Sequence, residues 1–77
     1  MSVKEFVYET VAKAFGKTID EINDDLNLLE DLQAKSVNYF PIMNALEEEY
    51  DLDLQYQTFR DECRSVGQII EMVEAGI

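Results

Sequence analysis

Three places in this 77-residue chain hold side chains with chemical potential: Ser36, Cys63 and the acidic stretch from Asp51 to Glu62. Ser36 follows Leu32-Gln33-Ala34-Lys35 and precedes Val37, where a helix is expected to begin. A serine at a helix start caps a backbone N–H. Its exposed hydroxyl there can also take a phosphate group, which the positive end of the helix dipole favours. The two roles are compatible. Ser36 is no nucleophile by itself, because the chain contains no His to activate it. The same absence excludes a Ser-His-Asp triad, His-ligated zinc and His-ligated haem. Cys63 lies four residues after Phe59 and reads as a small core residue. As the single cysteine it permits no internal disulfide, which points to a reducing compartment. Counted as a calcium loop, Asp51, Asp53, Gln55 and Glu62 fall on ligand positions, but Tyr56 stands where the turn needs Gly. Loose cation screening is expected there, and no metal site.

The elements that must position these residues are helical. Val3, Phe6, Val7, Val11, Ala14 and Phe15 recur at helical spacing, with Ser2 as N-cap and Gly16 as the stop. Thr18 to Asn27 is rich in Asp, Glu and Asn and reads as a long loop. Ile19, Ile22, Leu26, Leu28, Leu29 and Leu32 should fold it back onto the core. A second helix is expected near Ser36, with Val37, Phe40, Ala45, Leu46 and Tyr50 as its apolar pattern and Ile42 and Met43 adding to it. Pro41 predicts either a kinked first turn or a start nearer Phe40. Asp51 to Gln57 reads as a linker and Thr58 to Glu62 as a short third helix. Ser65 and Gln68 form a capping box for a last helix whose apolar face is Val66, Ile69, Ile70 and Val73, ended by Gly76. The expected fold class is all-α: a single domain over residues 1–77, a small helical bundle of three main helices and one short one.

Composition narrows the function. Six Lys and Arg against 17 Asp and Glu give a formal net charge of −11. Nucleic acid and anionic membrane are excluded as natural partners, since both are polyanions. Hydrophobic residues make up 47% of the chain, which predicts a folded domain of modest stability that salt improves. No apolar run approaches membrane-spanning length and no secretory core follows the N-terminus, so a cytoplasmic monomer is expected. Phe6, Tyr8, Tyr39 and Phe40 exceed the needs of one amphipathic face; some are either singly exposed or line a partner surface or cleft mouth.

Leu28-Leu29-Glu30-Asp31-Leu32, then Ala34, Ser36 and Val37, then Ala45-Leu46-Glu47-Glu48-Glu49-Tyr50, resembles the acyl carrier protein family along the whole chain. Gly16, Ile22 and Ser65-Val66 fit the same pattern, with one extra residue between Phe59 and Ser65. The resemblance implies a non-catalytic carrier whose Ser36 holds a 4'-phosphopantetheine arm, donated from coenzyme A by a phosphopantetheinyl transferase. The arm would carry acyl or aminoacyl groups as thioesters in a fatty-acid, lipid or polyketide-type pathway. It also implies that Lys35, Val37, Asn38, Tyr39, Glu47 and Glu48 form the face read by acyl-loading and acyl-transferring enzymes through basic docking patches. The chain departs from the pattern at Lys35, usually Asp, at Gln33, usually Gly, and at Asn38 and Pro41, where acids are common. Those departures point to a specialised carrier. They also sustain a rival: an acidic protein–protein interaction module that keeps the fold and carries no arm.

Overall fold

The computed structural model describes residues 2–77. It holds four helices: α1 (Val3–Phe15), α2 (Ser36–Tyr50), α3 (Tyr56–Glu62) and α4 (Val66–Gly76), with a 3-10 turn at Ile19–Glu21. Helix α1 packs on α2 and α4, and α3 packs on α2. The only extended pairing among the described residues is one antiparallel bridge, Asn27 to Ser65. The all-α bundle is as expected. No helix of the described residues is long and apolar enough to cross a membrane.

Local chemistry fixes the helix ends. The Ser2 hydroxyl accepts the Glu5 N–H at 3.1 Å, and the Glu5 carboxylate reaches back to the Ser2 N–H. Gly16 takes the left-handed conformation, φ 66°, and the following Lys17 N–H closes on the Ala12 carbonyl at 2.8 Å. At α4, the Ser65 hydroxyl accepts the Gln68 N–H, and the Gln68 side chain accepts the N–H groups of Arg64 and Ser65. All three ends follow the expected caps.

The core comprises Val7 and Val11 of α1, Ile22 and Leu28 of the long connection, Tyr39, Ile42, Met43 and Leu46 of α2, Phe59 and Cys63, and the apolar face of α4. Burying each Leu or Ile side chain contributes about 1.5–3 kcal/mol. The connection from residue 17 to 35 does fold back. Its Leu28 N–H donates to the Arg64 carbonyl, and the Val66 and Gly67 N–H groups donate to Leu26 and Asp24. A Cβ on Gly67 would meet the Asp24 carbonyl oxygen at 3.2 Å, so this close approach suits glycine. Ile19 is a correction: it remains 48% exposed on the 3-10 turn.

One further correction concerns α3, whereas α2 starts where expected. Helix α3 begins at Tyr56, two residues before the expected Thr58. Its span takes residues 56–62 out of any calcium loop, as these seven positions are helical. Helix α2 begins at Ser36 and runs through Pro41. Proline there removes one N–H, freeing the carbonyl of Val37. Val37 is 73% exposed, so water reaches that carbonyl's neighbourhood. The buried face of α2 is Tyr39, Ile42, Met43 and Leu46, spaced i, i+3, i+4, i+7. Val37 and Phe40 lie outside it and are exposed.

Candidate functional site

The site grows from the start of α2. Asn27 organises the approach: its side-chain oxygen accepts the N–H groups of Leu29 and Glu30, and its own N–H donates to Asp31. The Ala34 N–H then donates to Leu28 at 2.8 Å. Gln33 sits at φ 52°, a left-handed conformation that glycine adopts more readily. Lys35 is extended, φ −122° and ψ 172°, and is the N-cap. Ser36 is therefore the first helical residue and not the cap; the capping role read from sequence is corrected. The capping contact comes from inside the helix, where the Asn38 side-chain oxygen accepts the Lys35 N–H at 2.9 Å. The Asn38 amide also donates to the Ala14 carbonyl at 3.0 Å, tying α2 to the end of α1.

This arrangement presents Ser36 outward. Its residue is exposed, and no hydrogen bond among the described residues engages its hydroxyl. The first carbonyl of the helix, that of Lys35, receives the N–H groups of Asn38 and Tyr39, and among the described residues the Ser36 and Val37 N–H groups have no acceptor. Lys35 is exposed and has no carboxylate within ion-pairing distance among the described residues. Two free amides and the positive helix end thus share the first turn with the serine oxygen. A phosphodiester on that oxygen fits this environment.

The residues expected to form the docking face do not form one patch. Lys35, Ser36 and Val37 are contiguous and exposed. Asn38 is half-buried and spends both ends of its amide on structure. Tyr39 is a correction: it is 1% exposed and belongs to the core, edge-on to the rings of Tyr56 and Phe59. Its hydroxyl has no hydrogen-bond partner among the described residues, and burial raises its pKa, partly offset by the charge of Arg60. Glu47 is half-buried and accepts the Leu54 N–H at 3.1 Å, holding the turn after α2. Glu48 is exposed, about 18 Å along the helix axis from Ser36.

The surface beside Ser36 includes residues not assigned from sequence. Tyr56 packs on Phe40 with ring centroids 5.1 Å apart, and Arg60 follows one turn further along α3. The early start of α3 hid this pair, since a helix from Thr58 leaves Tyr56 in a linker. Cys63 is buried in the core beside Phe59, and burial pushes its thiol up to about 11. A shallow hollow of about 130 Å³ near it is lined by Leu54, Thr58, Phe59 and Met72, among others.

Comparison with known proteins matches residues 5–73 to the family described as the phosphopantetheine attachment site. The chain is 26% identical to the acyl carrier protein of Chlamydia caviae over 74 residues, covering 96% of this chain and 95% of that protein. It is 27% identical to that of Chlamydia felis, covering 96% and 94%, and 28% identical to that of a Sulfurovum species, covering 96% and 97%. With a match across nearly the whole chain and a four-helix architecture to go with it, this protein belongs to the acyl carrier protein family, whose cofactor is 4'-phosphopantetheine.

Proposed function

We propose that Ser36 holds the 4'-phosphopantetheine arm, and that the chain carries acyl or aminoacyl thioesters to partner enzymes of a fatty-acid, lipid or polyketide-type pathway without catalysing a reaction itself. The arm, once attached, supplies the thiol that forms the thioester. The observation that carries the reading is the exposed, unengaged Ser36 hydroxyl at the first position of α2, inside the matched residues. No side chain among the described residues hydrogen-bonds this oxygen and the chain has no His, so the proton is expected to leave to a base of the transferase that attaches the arm. The free amides of the first turn and the positive end of the helix then compensate the phosphodiester charge. Cys63 is unsuited to carry cargo, because its thiol is buried and held protonated.

Incubation with coenzyme A and a broad-range phosphopantetheinyl transferase should add the mass of one phosphopantetheine, and Ser36→Ala should abolish the addition. Modification that survives in Ser36→Ala refutes the assignment. The rival reading, an interaction module without the arm, draws support from Lys35, which alters the charge a transferase meets. Failure of several transferases to modify the chain would favour it.

A further inference from the structure

The cations of this acidic chain are unevenly used. Lys4, Lys13 and Lys17 each lie within 4 Å of an acid, at 3.7, 3.4 and 3.9 Å from Asp24, Glu9 and Glu21. Lys35, Arg60 and Arg64, among the described residues, form no such pair, although the chain carries 17 acids, and Arg64 spends its Nε on the Asp61 carbonyl at 3.3 Å. Lys35 and Arg60, both exposed, stand at the start of α2 and on α3, the two elements that share one apolar surface. Val37 is 73% and Phe40 49% exposed, and Phe40 stacks against Tyr56, one turn before Arg60 on α3. The first turn of α2 contains no acid. Its exposed acids, Glu48 and Glu49, stand at the other end, about 20 Å away by helix rise. That separation exceeds two Debye lengths at physiological salt, so a partner senses the two ends separately.

We propose that the surface of Lys35, Val37, Phe40 and Arg60 docks on a partner protein whose facing patch carries carboxylates around an apolar socket. Lys35 and Arg60 meet the carboxylates, and Val37 and Phe40 enter the socket. A uniformly basic patch would set like charge against Lys35 and against the positive end of α2. The opposite charges at the two ends of α2 then fix which way round the partner sits, with its basic residues reserved for Glu48 and Glu49. The inference rests on the carrier reading only in that enzymes must approach Ser36.

The test places a benzoylphenylalanine photo-crosslinker at position 37, and separately at position 48, in the full chain. It is irradiated in extract of the source cells, and adducts are identified by peptide sequencing. The peptide joined at position 37 should contain Asp or Glu beside apolar residues, and the one joined at 48 should contain Lys or Arg. Lys35→Glu should reduce the adduct to that identified protein about fivefold or more. Lys13→Glu, with the same net charge, should leave it within twofold. A basic peptide at position 37, no adduct there, or equal loss with both Glu variants would each overturn the proposal. Intact mass of the captured chain separates the two readings. An acidic contact on a chain whose Ser36 also resists several transferases counts against the carrier reading and leaves the docking surface standing.

Discussion

Asn38 should be the most costly polar residue of the α2 start to remove. Its side chain makes two bonds of ordinary length, 2.9 Å from the Lys35 N–H and 3.0 Å to the Ala14 carbonyl, the second partly buried. Asn38→Ala loses one capping contact, worth about 1 kcal/mol, and strips the Ala14 carbonyl of a donor, worth about 1 kcal/mol more. Alanine returns about 0.5 kcal/mol through its higher helix propensity. The net loss is about 1.5 kcal/mol, or about 6–12 °C in Tm for a domain of this size. Thermal unfolding followed by circular dichroism at 222 nm reads it directly. Asn38→Asp adds a diagnostic arm. Aspartate keeps the acceptor for Lys35 but sets a carboxylate oxygen against the Ala14 carbonyl, so it should not rescue the loss fully despite its favourable place near a helix N-terminus. A drop below about 0.5 kcal/mol for Asn38→Ala would refute the idea that this side chain locks α2 to α1.

Other outcomes follow from the core. Tyr39→Phe removes a buried hydroxyl that has no partner, so stability should hold or rise by about 1 kcal/mol in urea unfolding; a clear loss would expose a hydrogen bond the fold depends on. Cys63 titrates near 9 when unfolded but at about 11 when folded, so rising pH ionises the unfolded chain first. Stability from this group is therefore intact below pH 9 and falls by up to about 2–3 kcal/mol by pH 11, and Cys63→Ala should flatten that part of the pH profile. Gln33→Gly relieves a left-handed φ at some entropic cost, so it should raise stability by about 0.5 kcal/mol, measured by the same unfolding.

The parts of the fold that were legible in the sequence are those where a local rule acts alone. Ser2 with Glu5, Gly16, and Ser65 with Gln68 each close a helix end through their own side chains or backbone freedom, and each does so in the structure. The apolar face of α4 follows its period without interruption. Helix α2 was harder because two patterns overlap there. Val37 and Phe40 fit one helical face and Tyr39, Ile42, Met43 and Leu46 another; only contact with α1 and α3 selects the second. Pro41 is compatible with a kinked first turn or a later start, and the helix keeps Ser36, with Asn38 closing the first turn from within. The same ambiguity misplaced Tyr39 on the docking face. Gln33 stands in the sequence as a departure from a family glycine, and its φ of 52° supplies the physical reason glycine is usual there.

The cap of α2 links fold to function. Most helices that begin with a polar loop satisfy their first amides through the N-cap side chain, and an Asp or Ser at that position would occupy them. Here the N-cap is Lys35, whose ammonium accepts nothing, and Asn38 bonds backward to the Lys35 N–H while leaving the amides of Ser36 and Val37 open. The chain thus holds the helix start rigid from one side, through Ala14, Leu28 and Asn27, and keeps the other side free of internal hydrogen bonds. That asymmetry is costly for stability alone, because a capping carboxylate at position 35 would contribute about 1 kcal/mol. It suits a serine whose oxygen must be reached by an enzyme and then bear a phosphodiester. A lysine at position 35 removes a competing acceptor from the amides and leaves its ammonium to a partner, so one substitution serves attachment and partner choice together.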